Sequence, residues 1–83
     1  MKVILSPRAS KQYKKIGSKD RPKVNRKIEL LSKDPHMGKT LQGEYEGEYA
    51  LRAWPLRIIY TFDPVEQLIQ IEDIDYRGNV YKN

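Results

Sequence analysis

The feature that most constrains the fold is a change in the period of the apolar residues near position 40. Before it, apolar side chains recur every three or four residues, at Ala9, Tyr13 and Ile16 and then at Val24, Ile28 and Leu31. After it, between residues 49 and 76, apolar and polar residues alternate. The first spacing is typical of one helix face and the second of half-buried strands. The sequence therefore predicts two helices followed by a sheet.

Turn and capping residues predict where the helices begin and end. Ser6 is followed by Pro7, which predicts a serine N-cap with proline at the first helical position, and Gly17 predicts the end of that helix. A second helix is expected to begin within residues 18–20 and to end at Asp34-Pro35, because the residue before a proline disfavours helical backbone. Together these elements form a helical hairpin.

Strands are predicted on both sides of this hairpin. Residues 3–5 precede it, and residues 49–53, 56–62 and 68–76 follow a loop at 34–43. The alternation slips near Asp73-Ile74, which indicates a β-bulge. The predicted fold class is α+β, with the order β-α-α-β-β-β and a small antiparallel-rich sheet packed against the N-terminal hairpin. A chain of this length is expected to form a single domain over residues 1–83.

The turn at Trp54-Pro55 predicts which residues face each other in the first β-hairpin. With these two residues as the loop, the opposed pairs are Tyr49 and Tyr60, Leu51 and Ile58, and Arg52 and Arg57. The first two pairs share one face and are expected in the core, while the arginines lie on the other face. A Trp-Pro bond also favours a cis peptide and a type VI turn.

Arg52 and Arg57 are the first residues that point to chemistry. Two guanidinium groups directly opposite each other repel unless an anion lies between them, and the Arg fork binds phosphate oxygens in pairs. We interpret the two arginines as a phosphate clamp. The alternative is that each arginine pairs with a nearby carboxylate, such as Glu48, Glu72 or Asp75.

Positive charge is concentrated in the predicted helices. Residues 1–39 contain 12 Lys and Arg against three Asp and Glu, whereas residues 40–83 contain four against eight. A dense field of one sign attracts a polyanion. We interpret the exposed helical face as an RNA-binding surface, and the alternative is a solvated lysine-rich face. The residues concerned are Lys11, Lys14, Lys15, Lys23, Arg26 and Lys27.

Several kinds of chemistry lack the residues they need. The chain has no Cys, which excludes a disulfide, a thiolate metal site and a cysteine nucleophile. Its single histidine, His36, lies in the predicted loop and is expected to be exposed rather than to bind a metal. No phosphate-binding glycine motif is present, and no apolar run has the length of a transmembrane helix. We expect a cytoplasmic protein with no metal, no cofactor and no membrane association.

Residues of the tail, and glutamates just before the clamp strand, could complete a nuclease site. Such a site needs a base for the attacking hydroxyl, cations for the phosphate and an acid for the leaving oxygen. Arg77 adds a cation, and Tyr81 either supplies the acid or stacks on a base of the nucleic acid. The nearest carboxylates, at Glu44, Glu46 and Glu48, are sources of a general base. The alternative is that the tail residues are packed or solvated and that the glutamates form an exposed face.

The order of several short motifs resembles the RelE/ParE toxin superfamily. Leu41-Gln42-Gly43 matches its L-x-G, Tyr49-Ala50-Leu51-Arg52 matches its Y-x-x-R strand, and residues 56–60 match the following strand with arginine in second place. Arg77 and Val80-Tyr81 match most of the closing H-R-x-x-V-Y. With the basic helical hairpin, the resemblance extends over about residues 2–82.

The resemblance implies a toxin of a type II toxin–antitoxin pair with the β-α-α-β-β-β fold. RelE-like members are metal-independent endoribonucleases that enter the ribosomal A site. They cut mRNA by attack of the 2′-hydroxyl on the adjacent phosphate, which gives a 2′,3′-cyclic phosphate. A cognate antitoxin silences the toxin, the basic helices face ribosomal RNA, and the free toxin is expected to be monomeric. By the motif match, Arg52, Arg57 and Arg77 would stabilise charge on the phosphate, and Tyr81 would stack on the substrate base.

Two departures from the family pattern leave the general base open. Ala50 stands where some RelE members have a lysine base, and Tyr76 stands where many have histidine. Glu46, Glu48 and Tyr76 are the candidates, unless positioning and electrostatics suffice. ParE-like members share the fold but poison DNA gyrase and do not need the nuclease residues. Gyrase inhibition is therefore the alternative function, and a non-catalytic RNA-binding module is the second alternative.

Overall fold

The structure, a computed structural model, describes residues 1–41, 43 and 47–76. In chain order its elements are β1 (Lys2–Leu5), α1 (Pro7–Lys15), α2 (Arg21–Lys33), β2 (Lys39–Thr40), β3 (Tyr49–Ala53), β4 (Leu56–Asp63) and β5 (Leu68–Tyr76). No helix within the described residues has the length and apolar character needed to cross a membrane.

The described strands form one mixed sheet with the order β1-β5-β4-β3-β2. β1 runs parallel to β5, and the other neighbouring strands are antiparallel. The predicted α+β class, with a helical hairpin and an antiparallel-rich sheet, is confirmed. The assignment of Lys39–Thr40 to a loop was wrong, because these residues pair with Ala50 and Tyr49 as β2. A two-residue strand is too short to show an alternating pattern, so its sequence carries no strand signal.

The core lies between the helical hairpin and one face of the sheet. Ala9, Val24 and Leu31, at the positions that the helical spacing predicted, are fully buried. They belong to one cluster with the inward residues of the strands, which include Leu51, Ile58, Tyr60, Ile69, Ile71 and Ile74. Burying a side chain the size of Leu or Ile stabilises the fold by about 1.5–3 kcal/mol. This single cluster fixes which face of the sheet the helices cover and which face they leave open.

The predicted cap of α1 is present and also ties the helix to the sheet. Ser6 Oγ accepts a hydrogen bond from the Ala9 N–H at 3.1 Å and donates one to the Glu72 carbonyl at 3.1 Å. Pro7 occupies the first helical position. The helix ends at Lys15, and Ile16 rather than Gly17 is its C-cap residue. The extended backbone of Ile16 allows its side chain, 4% exposed, to reach the core.

The predicted hairpin register is confirmed. Tyr49 lies opposite Tyr60, Leu51 opposite Ile58, and Arg52 opposite Arg57. The Trp54-Pro55 bond is cis. The Tyr49 and Tyr60 rings stack with their centroids 5.1 Å apart, on the face that the helices cover.

A β-bulge in β5 decides how that strand aligns with β4. The register shifts between Ile59, which lies opposite Asp73, and Tyr60, which lies opposite Ile71. Glu72 is therefore the extra residue, beside the predicted slip at Asp73-Ile74. The bulge lets Ile71 and Ile74 both point into the core, although they are three residues apart. It also moves the second half of β5 along by one residue relative to β4.

Side chains from α1 and its cap replace the missing neighbour of β5 beyond the end of β1. The pairing with β1 stops at Ile71. Past that point, Ser6 binds the Glu72 carbonyl, and Gln12 Oε1 accepts a hydrogen bond from the Ile74 N–H at 2.9 Å. Gln12 Nε2 also donates to Asp73 Oδ1. These bonds hold the bulge in place and position the residues that follow it.

Candidate functional site

Three charged side chains form a row across the open face of the sheet. Arg52 of β3 lies opposite Arg57 of β4, which in turn lies opposite Asp75 of β5. The strand neighbours of both arginines, and Ile74 beside Asp75, are buried in the core, so alternation places the three side chains on the face away from the helices. Paired Cα atoms on antiparallel strands are about 4.5–5.5 Å apart, so these charges are immediate neighbours. Arg52 is exposed, and Arg57 and Asp75 are half-buried.

A fourth charge joins this face from the edge strand. Lys39 of β2 lies opposite Ala50, and Ala50 is two residues from Arg52 on β3. Lys39 and Arg52 therefore lie on the same face of the sheet. Lys39 is not among the predicted site residues, because a two-residue strand shows no alternating pattern in the sequence. A recognised strand pairing at Lys39–Thr40 would have been the signal.

A groove of about 630 Å³ follows this edge of the sheet. Four cations line it, and none of the described lining residues is acidic. Lys27 lines the groove from α2. It is half-buried, whereas the other predicted cations of the helical face are exposed. Apolar side chains complete the lining, among them Met37, Leu41 and Leu51. The groove thus combines a cationic rim with an apolar floor, which suits a flexible polyanion with apolar parts, such as single-stranded nucleic acid.

The buried hydroxyl of Tyr60 positions the segment that carries Lys39. It donates a hydrogen bond to the Pro35 carbonyl at 2.7 Å and accepts one from the Gly38 N–H at 3.0 Å. Burial raises the pKa of Tyr60, so the hydroxyl keeps its proton and remains a donor. A Cβ on Gly38 would lie 2.8 Å from the Ala50 carbonyl oxygen. Only glycine permits this close approach of the segment to β3.

Glu48, a candidate base, lies at the other end of the open face. It is the residue before β3 and lies four positions from Arg52, about 14 Å at the rise of an antiparallel strand. It lines a cleft with Ile59, Glu72 and Asp73. Desolvation, and then the charges of Glu72 and Asp73, raise the pKa of Glu48. The structure therefore places Glu48 in an acidic cluster and not in the arginine row, and its role as a base stays a prediction.

Tyr76, a second candidate base, lies on the helix side of the sheet. It pairs with the buried Leu56, and its hydroxyl lies 3.4 Å from Asp20 Oδ2 at the start of α2. This orientation points the hydroxyl away from Arg52 and Arg57. The remaining predicted site residues, Glu46, Arg77 and Tyr81, lie outside the described residues.

The basic face predicted on the helical hairpin is present. Lys11, Lys14, Lys15, Lys23 and Arg26 are exposed. Lys11 and Lys15 line a shallow cleft of about 350 Å³ together with Arg8, whose Nε lies 3.7 Å from Asp73 Oδ1. The hairpin therefore presents exposed cations in addition to Lys27, which lines the groove, and RNA binding by this surface stays a prediction.

His36 has a packing role in the structure. Its ring makes edge-to-face contacts with Phe62, at a centroid distance of 5.4 Å, and with Tyr49, at 6.4 Å. Within the described residues, no group of three or more His, Cys, Asp and Glu side chains has the arrangement of a metal site.

Comparison with models of known protein families identifies the family of the chain. The family model described as "ParE toxin of type II toxin-antitoxin system, parDE" matches residues 3–81. This chain belongs to the ParE toxin family. The RelE/ParE superfamily that the motifs indicated is thereby confirmed for this ParE-family toxin. No curated protein sequence matches it significantly.

Solved structures of related folds resemble the toxin closely. The RelBE2 toxin–antitoxin complex from Mycobacterium tuberculosis matches with a TM-score of 0.85 and 24% identity, over 92% of this chain and 96% of that one. A YoeB/ParE toxin from Agrobacterium tumefaciens has a TM-score of 0.81 and 18% identity, over 93% and 99%. The isolated E. coli RelE toxin has a TM-score of 0.78 and 22% identity, over 96% and 89%. At these identities the similarity shows a common fold.

Proposed function

We propose that this ParE-family toxin is an endoribonuclease that cuts mRNA on the ribosome and so stops translation. The observation that carries the proposal is the opposition of Arg52 and Arg57 on the open face of the sheet. Lys39 and Lys27 join them along a groove without acidic lining among the described residues. Like charges gathered in this way repel one another unless an anion lies between them. A phosphodiester is an anion whose oxygens match the arginine forks.

The chemistry follows from where charge develops during RNA cleavage. Attack of the 2′-hydroxyl on the adjacent phosphorus adds negative charge to the phosphate oxygens in the transition state. Guanidinium groups already fixed around that position stabilise this charge without having to reorganise. Arg52 and Arg57 would serve this role, and Arg77 and Tyr81 of the tail would add a further cation and an acid or stacking group. The products are a 2′,3′-cyclic phosphate and a 5′-hydroxyl.

Gyrase inhibition is the second candidate, and three observations favour it. The matching family model is that of ParE, and Asp75 lies opposite Arg57, where it would partly neutralise the clamp. Ala50 adds to this reading, since the chain lacks the lysine that some RelE-like toxins have there. Under this function, the groove would contact a protein surface, and the arginines would not need to reach a phosphate.

A cognate antitoxin is the partner that we propose for this toxin in the cell. The fold matches the toxin–antitoxin complex RelBE2, and the groove has a cationic rim and an apolar floor. An extended antitoxin segment with acidic and apolar residues would complement both. The free toxin would be a cytoplasmic monomer whose basic helices contact ribosomal RNA.

One pair of assays separates the two functions. Purified toxin is added to a cell-free translation mixture and, separately, to a gyrase supercoiling reaction. The proposal predicts inhibition of translation, which is lost in the double variant Arg52→Gln/Arg57→Gln and retained in the control Lys19→Gln/Lys33→Gln, which removes two exposed charges elsewhere. Inhibition of supercoiling alone would instead identify a gyrase poison.

A further inference from the structure

Asp75 is a carboxylate within the arginine row. Because the bulge at Glu72 shifts the end of β5, Asp75 lies directly opposite Arg57. Without the extra residue, the register would place Ile74 there instead. Arg57 thus stands between Arg52 on one side and Asp75 on the other, and a phosphate held by the two arginines lies beside this carboxylate.

The other described candidates for a proton acceptor lie farther from the clamp. Glu48 precedes β3, lies about 14 Å from Arg52 at the rise of an antiparallel strand, and contributes to the cleft with Glu72 and Asp73. The Tyr76 hydroxyl lies on the helix side of the sheet, near Asp20. Asp73 is bound by Gln12 and lies near Arg8. Asp75 is the carboxylate that the strand register brings next to Arg57.

The orientation of the Asp75 carboxylate is fixed by the backbone. Its Oδ1 accepts a hydrogen bond from the Tyr76 N–H at 2.8 Å, and the residue is half-buried. This bond uses one of the two carboxylate oxygens. The backbone just before Asp75 is also held in place, because the Ile74 N–H donates a hydrogen bond to Gln12 Oε1. A group held in this way is preorganised for proton transfer.

We propose that Asp75 is the general base of RNA cleavage, an inference that rests on the proposed endoribonuclease function. Its carboxylate takes the proton from the 2′-hydroxyl as the O2′–P bond forms and the P–O5′ bond breaks. The leaving O5′ receives a proton from an acid or from water, and the carboxylic acid of Asp75 returns its proton to solvent. Arg52 and Arg57 stabilise the phosphate charge, while Asp75 activates the nucleophile.

The test compares Asp75→Asn with the wild-type toxin on mRNA-programmed ribosomes under single-turnover conditions. Asparagine keeps the oxygen that accepts the Tyr76 N–H but is a poor proton acceptor. We expect the cleavage rate constant to fall about 10²–10⁴-fold, the usual contribution of a general base, while binding is unchanged or tighter because a negative charge is removed. The acidic limb of the pH–rate profile should also disappear in Asp75→Asn.

Glu66→Gln, which removes an exposed carboxylate in the turn between β4 and β5, is the matched control and should cleave at the wild-type rate. Wild-type cleavage together with an unchanged rate and pH profile in Asp75→Asn would overturn the role of Asp75 and leave the nuclease function standing. Loss of cleavage in Glu48→Gln but not in Asp75→Asn would overturn it in favour of Glu48. If the wild-type toxin cuts no RNA, both proposals fail.

Discussion

Arg52 and Arg57 face each other directly across β3 and β4, on the face of the sheet that the helices leave uncovered. Opposed charges of the same sign destabilise a cross-strand pair. The fold tolerates this because the core on the other face, built around residues such as Leu51 and Ile58, fixes the register independently. An anionic ligand between the two guanidinium groups would relieve this repulsion.

This relationship predicts a gain in stability when one charge is removed. In Arg52→Gln, the repulsion across the strands is lost, and we expect the free energy of unfolding to rise by about 0.5 kcal/mol, within the range of cross-strand pair energies. Urea unfolding monitored by tryptophan fluorescence measures it. Lys33→Gln, an exposed charge at the end of α2, is the control and should change little. A loss of stability in Arg52→Gln would mean that Arg52 has a stabilising partner in the free protein.

The position of Lys39 in the groove predicts that its substitution changes the salt dependence of RNA binding. If it contacts one phosphate of a single strand, Lys39→Gln should lower the slope of log K against log salt concentration by about 0.7. Binding of a short single-stranded RNA, measured by fluorescence anisotropy at several salt concentrations, gives this slope. The same substitution at Lys33, which lies outside the groove, should leave the slope as it is. An unchanged slope in Lys39→Gln would remove β2 from the binding surface.

The Tyr60 hydroxyl predicts a measurable structural contribution. Tyr60→Phe removes the acceptor of the Gly38 N–H and the donor to the Pro35 carbonyl. Because the site is buried, we expect a loss of about 1–3 kcal/mol in the free energy of unfolding. Tyr13→Phe is a matched control, since its hydroxyl donates to Asn25 at an exposed position, and it should lose less. Equal losses in the two variants would show that burial does not increase the contribution of the Tyr60 hydroxyl to stability.

The raised pKa of Glu48 predicts how the stability of the protein changes with pH. Its pKa is raised in the folded state by desolvation and by Glu72 and Asp73, so the folded protein binds this proton more tightly than the unfolded chain. The contribution of Glu48 to stability therefore falls as pH rises from its ordinary value of 4.5 through the raised folded value. Glu48→Gln should stabilise the protein at neutral pH but not well below 4.5. Urea unfolding of both proteins at the two pH values checks this, and a gain that persists in acid would contradict it.

The sequence predicts the clamp geometry well because its cause is local. A two-residue turn at Trp54-Pro55 and an alternating pattern on both sides leave one register that buries Leu51 and Ile58 together. Arg52 and Arg57 are then opposed by necessity. The Ser6 cap and the buried face of α2 are also predictable from the sequence. In both, the local sequence pattern indicates the same arrangement that buries the apolar side chains.

Lys39 and Asp75 join the site for reasons that a local pattern does not contain. Lys39 depends on a two-residue strand whose position is set by a hydrogen bond between Gly38 and Tyr60, residues that are far apart in sequence. The sequence suggested Asp75 only as one of several partners for an arginine. Its place in the row depends on the bulge at Glu72, which is held by Ser6 and Gln12 from the other end of the chain. Tertiary contacts decide both placements.

In the proposed function, the opposed arginines act on a phosphate of ribosome-bound mRNA. The most direct measurement is primer extension on mRNA-programmed ribosomes, and on the same mRNA without ribosomes, with wild-type toxin, Arg57→Ala and the control Lys33→Ala. We expect new 5′ ends within the A-site codon that depend on ribosomes, disappear in Arg57→Ala and persist in Lys33→Ala. Intact mRNA with a folded wild-type toxin that still stops cell growth would contradict it and would leave gyrase as the target.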